Sequence, residues 1–364
     1  RDVERSRGLG DVYKRQVYIV HCLQKGGFHY MKRFLSTFIA LALSTVMLAG
    51  CGSASSSTAS TDGAKSDKTY NIGVIQYTEH PALDAAREGF IEALKEGGYV
   101  DGENVKIDVQ NAQADQSNLK TISQKFVTDR KDLVLAIATP AAQSMAAETK
   151  DIPILVTAVT DPAESDLVES NEAPNTNVSG TSDINPVSDQ IALLKQLVPD
   201  AKKIAIMYCS GEQNSVLQAK MAKEAADKLG IESKEETVSN TNDVAQVAES
   251  MIGRYDAVYI PTDNVLASSM PLLTSITNPK GLPVIVGEEG MVKGGGLASV
   301  AIDYTELGKL TGKMAIDIFG GKDIKTMPIQ YTENPQLVVN KKVATEMGIT
   351  IPDDVASKAK MIEE

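Results

Sequence analysis

Residues 70–99 read YNIGVIQYTEHPALDAAREGFIEALKEGGY. The first seven form a nearly continuous apolar run, which predicts a strand buried on both faces, as in a parallel sheet. Over 81–97 the apolar residues Leu83, Ala86, Phe90, Ile91 and Leu94 fall near the helical period, so a helix follows. Residues 104–110 then alternate at period two, with Val105, Ile107 and Val109 on one side. A strand, a helix and a second strand make one βαβ unit, and right-handed units of this kind build a mostly parallel sheet with helices on both faces.

The rhythm continues outward. A helix is expected over 116–129, a strand over 133–137, a helix over 140–150 and a strand over 154–158. Residues 161–176, rich in Asp, Glu, Asn and Pro, interrupt it, and it restarts after Val178-Ser179-Gly180-Thr181. Helices over 186–197, 213–230, 243–253 and 265–277 then alternate with strands over 203–208, 233–238, 257–260 and 283–286. Two consecutive doubly wound units predict an α/β fold of two lobes. The remaining strand near 297–302, helix over 306–320 and strand near 330–339 are too few for a third domain, so they complete the two sheets and the chain crosses between lobes more than once.

The chain of 364 residues has 42% hydrophobic and 23% charged residues, ordinary for a globular protein of two domains. Its net charge is -12: residues 1–50 hold 8 basic and 3 acidic residues, against 28 basic and 45 acidic in 51–364. A body that acidic lacks the electrostatic footprint of a nucleic-acid binder. Cys22, Cys51 and Cys209 are too scattered for a disulfide framework or a metal cluster, and no cofactor motif follows any strand. His80 is the one histidine beyond the first fifty residues, and no nucleophile elbow is present, which counts against an enzyme. Cys209 ends an apolar strand and reads as a small core residue.

The amino-terminal segment has its own logic. Met31 starts a basic stretch (Lys32, Arg33), an apolar run over 34–47 and then Leu48-Ala49-Gly50-Cys51, the three parts of a secretion signal ending in a lipobox-like site with Cys51 as the lipidated residue. The apolar run is shorter than the roughly 20 residues of a membrane span. Residues 51–68 follow as a Ser/Thr-rich tether. Lys25-Gly26-Gly27 is compatible with a purine-rich ribosome-binding site read in frame, so residues 1–30 are expected to be untranslated upstream sequence.

In open α/β sheets ligands bind at the carboxyl ends of strands. Those ends carry Gln76, Tyr77 and His80 after the first strand, and Thr139-Pro140 after the third, where Thr139 is expected as an N-cap that leaves the amides of Ala141 and Ala142 free for a carboxylate. Thr160 and Asp161 follow the fourth. The second lobe offers Glu212, Asn214 and Ser215, then Thr262, Asp263 and Asn264, then Glu288. Taken singly, each is also ordinary turn and cap chemistry. Together, two facing rims of hydroxyls and carboxylates suit a small zwitterion, with Thr139 and Ser215 on its carboxylate and Asp263 or Glu288 on its ammonium.

The segments His80-Pro81-Ala82-Leu83-Asp84-Ala85-Ala86-Arg87-Glu88-Gly89-Phe90, Gly180-Thr181-Ser182-Asp183, Pro261-Thr262-Asp263-Asn264 and Gly287-Glu288-Glu289-Gly290-Met291 resemble the ABC-transporter substrate-binding proteins of the tryptophan/tyrosine-type uptake family. So do Gly211-Glu212 with Asn214-Ser215, and Ile302-Asp303-Tyr304. The resemblance spans about 70–352 and implies a type I periplasmic-binding-protein fold with three hinge crossovers, near Thr181, Asp303 and 327–330. Lobe I would comprise 69–181 and 303–328, and lobe II 182–302 and 329–364. It further implies a lipid-anchored, extracytoplasmic monomer that hands an L-amino acid, aromatic by preference, to a permease and its ATPase, without a cofactor.

The chain departs from the family at Cys209-Ser210, where Asn-Pro is common, in a loop that approaches the ligand. With no Trp in the chain, Tyr77, Tyr208 and Tyr304 are the rings available for stacking, or else for packing the core and hinge. A sensory surface lipoprotein for a branched-chain amino acid or purine-like solute, and an extracellular α/β enzyme, are the alternatives. Mass spectrometry of the precursor should find no peptide from residues 11–30; finding one would show that the upstream segment is expressed.

Overall fold

A computed structural model describes residues 68–363. The expected upstream segment 1–30, signal 31–50 and lipidation residue Cys51, and the expected tether as far as 67, lie outside the described residues. Within them, no helix is long and apolar enough to cross a membrane.

The first half runs β1 (Tyr70–Gln76), α1 (Pro81–Glu96), β2 (Val105–Asn111), α2 (Gln116–Thr128), β3 (Leu133–Ile137), α3 (Thr139–Glu148), β4 (Ile154–Val159) and β5 (Val178–Ser182). The second continues with α4 (Val187–Leu197), β6 (Lys203–Cys209), α5 (Gln213–Lys228), β7 (Glu232–Val238), α6 (Val244–Met251), β8 (Ala257–Ile260), α7 (Asn264–Ser268), α8 (Met270–Thr277), β9 (Val284–Val286), α9 (Glu289–Lys293) and β10 (Ala298–Ala301). Then come α10 (Tyr304–Phe319), β11 (Gln330–Tyr331), β12 (Gln336–Asn340), α11 (Lys341–Glu346), α12 (Asp353–Ala356) and β13 (Lys360–Ile362).

The strands form two sheets, one ordered β2-β1-β3-β4-β5-β11 and the other β7-β6-β8-β9-β10-β12-β13. The first is parallel throughout, and the second is parallel except where β10 meets β12. Each order reverses once near its start, at β1/β3 and at β6/β8, and these are the switch points where a crevice opens beyond the strand ends. The chain passes between sheets after β5, between β10 and α10, and between β11 and β12.

Two expectations need correction. The strand expected over 330–339 is two strands in different sheets, because Asn334 adopts a left-handed φ of 64° and Pro335 follows. The third crossover therefore falls within 332–335, later than 327–330, and β11 belongs to the first sheet. The helix expected over 265–277 is broken into α7 and α8 at Ser269, just before Met270 and Pro271.

The cores follow the sequence pattern. β1, β3 and β4 are almost wholly buried, and Phe90 and Phe126 are fully buried on the two faces of the first sheet. Gly73 of β1 leaves the room that the Phe126 ring occupies. Truncating either ring to Ala would cost about 3–5 kcal/mol in transfer and cavity terms.

One contact binds the returning chain. Helix α10 lies against α1 with Gly89 facing the Thr305 carbonyl, Gly308 facing the Ala86 carbonyl and Gly312 facing Phe90 and Ala93. From Ala86 against Gly308, through Phe90 and Ala93 against Gly312, to Gly97 against Ile316, the contacts advance along both helices in the same sense, so the helices run parallel and start at the same end. A Cβ at Gly308 would overlap the Ala86 oxygen. The Gly308→Ala variant gains at most about 1 kcal/mol in helix propensity, whereas overpacking against backbone costs on the order of 3 kcal/mol. Its urea midpoint should therefore fall at an unchanged slope; a midpoint equal to or above wild type would contradict the contact.

Candidate ligand-binding site

The two switch points face each other across a closed cleft. His80, which follows β1, lies with Nε2 3.2 Å from Oδ1 of Asn264, which follows β8. Gln218 of α5 donates to the Thr160 hydroxyl at 3.0 Å, and Gln213 donates to the Glu164 carbonyl at 2.6 Å while accepting from Gln143 at 2.6 Å. Between these bridges lies a narrow cavity of about 10 Å³, the scale of a single water.

Its polar wall includes His80, Asn214, Thr262, Asp263, Asn264 and Glu288, all expected from the sequence. Asp183 and Tyr304 join them, and Leu83, Ala158 and Ala267 supply apolar surface. Asp183 stands at the end of β5, a strand of five residues that reads as a loop in sequence because Gly and Ser interrupt it. The rule that ligands meet strand ends would have found it once β5 was recognised.

Asp183 is buried. Its Oδ2 accepts from the Tyr304 hydroxyl at 2.7 Å, whereas Oδ1 has no partner. Burial pushes its carboxyl above the usual range, opposed by the Tyr304 and Thr160 hydroxyls and its own backbone amide. Asn214 donates to the Thr262 carbonyl at 2.9 Å and leaves its own Oδ1 unpaired. These are two buried acceptors on a cavity wall, and an unmatched buried acceptor costs about 1–3 kcal/mol until a donor arrives.

The carboxylates assigned to an ammonium are already engaged. Asp263 caps α7: Oδ1 accepts from the Leu266 amide at 2.8 Å and Oδ2 from the Cys209 amide at 2.6 Å. Glu288 caps α9 through the amides of Gly290 and Met291. Glu212 accepts from the amides of Asn264 and Val265 at 3.2 and 3.0 Å and from the Asn264 side chain. Burial raises all three, and the nearby Asp263 charge adds to the rise at Glu212.

Thr139 needs a correction. It is the first residue of α3, and the cap position belongs to Ala138, whose φ of 79° and ψ of 153° are ones that side chains rarely adopt. The Ala142 amide bonds the Ala138 carbonyl at 3.0 Å and is not free. The Thr139 hydroxyl is buried without a partner. A second strained alanine, Ala158 at φ 55°, sits where the β4/β5 register shifts, and Gly180 opposite leaves no room for a Cβ beside Val156.

Other expected site residues are structural. Gln76 bonds Thr78, Asp84 and Arg87. Asp161 organises its own loop, and Thr181 bridges Thr157 and Thr311 inside the hinge. Ser215 accepts from Asn214, and Asp303 is an exposed cap of α10. Ala141 is fully buried in α3. Of the three tyrosines, Tyr304 faces the cavity, whereas Tyr208 bonds Glu235 and Tyr77 is buried beside Ala114. Cys209 is a core residue whose thiol burial pushes up to about 12.

Two doubly wound lobes joined by three crossovers and shut over a polar cavity define a solute-binding protein of the type I periplasmic kind. The chain belongs to the ABC transporter substrate binding protein family, which it matches over residues 71–362. It is 44% identical over 312 residues, 85% of this chain and 90% of the relative, to a protein of Clostridioides difficile named tyrosine-binding protein. It superposes with a TM-score of 0.78 at 40% identity on the ABC domain from Streptococcus pneumonia in complex with L-Trp, covering 81% of this chain and 99% of that one. The ligand-free, open structure of a Clostridium difficile substrate binding protein with adhesive properties is 43% identical over the same shares, yet its TM-score is 0.63. Its family makes this a binding protein and not an enzyme, and an extracytoplasmic one.

Glu288 gives a pH test in the ligand-free protein. Burial lifts its carboxyl to about 7 against an ordinary value of 4.5. A raised folded value means that the native state holds more protons, so this residue's stability contribution is full below about pH 4.5 and is lost as pH rises toward 7. Glu288→Gln should therefore flatten the fall in stability between pH 5 and pH 8, read by urea melts; an unchanged slope would place the group in water.

Proposed function

We propose that the protein captures an L-amino acid with an aromatic side chain between its lobes and delivers it to the permease and ATPase of an ABC importer, held to the membrane through a lipid on Cys51. The carrying observation is the pair of unpaired buried acceptors, Asp183 Oδ1 and Asn214 Oδ1, on residues that line one cavity, which match the donors of an ammonium group. This assigns the ammonium to Asp183 in place of Asp263 or Glu288. The unpaired Thr139 hydroxyl is assigned to the carboxylate, and Tyr304, on the cavity wall, packs the ring. Support for the aromatic class comes from the relatives named for tyrosine and solved with L-Trp.

Closure follows from differential contact: a ligand that bridges both rims favours the shut form by the bonds it makes only there, and the shut lobes present the surface a permease reads. A thermal-shift panel of the twenty amino acids and several nucleosides tests the reading, since a ligand of the native state raises the melting temperature. L-Trp and L-Tyr should give large shifts and nucleosides none, and Asp183→Ala should abolish the amino-acid shift. A panel with no amino-acid response would overturn the proposal.

A further inference from the structure

The site contains a polar relay that sets the protonation pattern of His80. Glu212 accepts from the amides of Asn264 and Val265, so its oxygens face α7 as acceptors. The Asn264 Nδ2 donates to the same carboxyl group. With its Nδ2 committed to Glu212, Asn264 presents Oδ1 to His80. Two acceptors cannot share that 3.2 Å contact, so His80 Nε2 carries the proton.

Burial draws the imidazolium down to about 4, so the ring is neutral at physiological pH and Nδ1 is a bare acceptor. His80 occupies the cap position of α1 but makes no cap bond there, and Nδ1 is buried with no partner. It stands on the cavity wall among Leu83, Ala158 and Ala267, apolar surface suited to a ring with one polar edge.

Building on the aromatic amino-acid reading above, we propose that His80 Nδ1 accepts a hydrogen bond from the ring donor of the ligand, an indole N–H or a phenol O–H, and so selects L-Trp and L-Tyr over L-Phe. A site built for a donor leaves its acceptor stranded when an analogue lacks one, and affinity falls accordingly.

Isothermal titration of the wild-type protein with L-Trp and with 3-benzothienyl-L-alanine, in which sulfur replaces the indole N–H, reads the bond directly. The analogue should bind on the order of tenfold or more weakly, and L-Phe should trail L-Tyr in the same way. In His80→Leu, which cannot accept, both ratios should fall to about one. Should that variant not fold, nitrogen NMR of histidine-labelled wild type provides the second readout: an Nε2-protonated ring throughout, with the Nδ1 signal moving on L-Trp addition. Equal binding of L-Trp and the analogue, ratios that survive in His80→Leu, or an unmoved Nδ1 signal would each overturn the inference while leaving amino-acid capture intact. Failure of every amino acid to bind would overturn both.

Discussion

The architecture turns on the parallel contact between α1 and α10. These helices are separated by more than two hundred residues, and α10 enters only after the chain has built most of the second sheet. Gly89, Gly308 and Gly312 let the backbones approach closely enough to hold the returning segment on the first lobe. Because the helices ascend together, both begin at the cleft. His80 at the head of α1 and Tyr304 at the head of α10 are thereby brought to one cavity wall.

From the other lobe, the short helix α7 supplies the opposing wall, and its start is crowded with charge. Asp263 and Glu212 are both buried there, and each is tolerated because backbone amides satisfy it. Their desolvation works against stability at neutral pH, as it does at Glu288. What the arrangement provides is rigidity: a carboxylate that fixes an amide, and an amide that orients an imidazole across the cleft. Such a relay holds only when the lobes are shut, so it belongs to the closed form.

Much of the fold was legible in the chain. Apolar runs such as 133–137 and 154–158 read as buried parallel strands from their shortness and β-branched content, and the helices between them had clear faces. The places where the reading slipped share a cause. Residues 330–339 look like one strand, since alternation carries no information about which sheet a residue joins. Thr139 looks like a cap because Thr before Pro usually is one, and a left-handed alanine one residue earlier leaves no trace in composition. Six of the site residues foreseen from strand ends do line the cavity. Asp263 and Glu288 among them cap helices, and a carboxylate near a helix start reads alike whether it caps the helix or meets a ligand.

Periodicity, strand-end chemistry and family motifs thus decide the class of fold and the rims on which a ligand sits, because those are local properties of short segments. Which acceptors stay unpaired is a different kind of fact. Asp183 Oδ1, Asn214 Oδ1 and His80 Nδ1 are buried without a hydrogen bond in the folded chain. That accounting runs over residues from both lobes and closes only when the chain has folded and the cleft has shut.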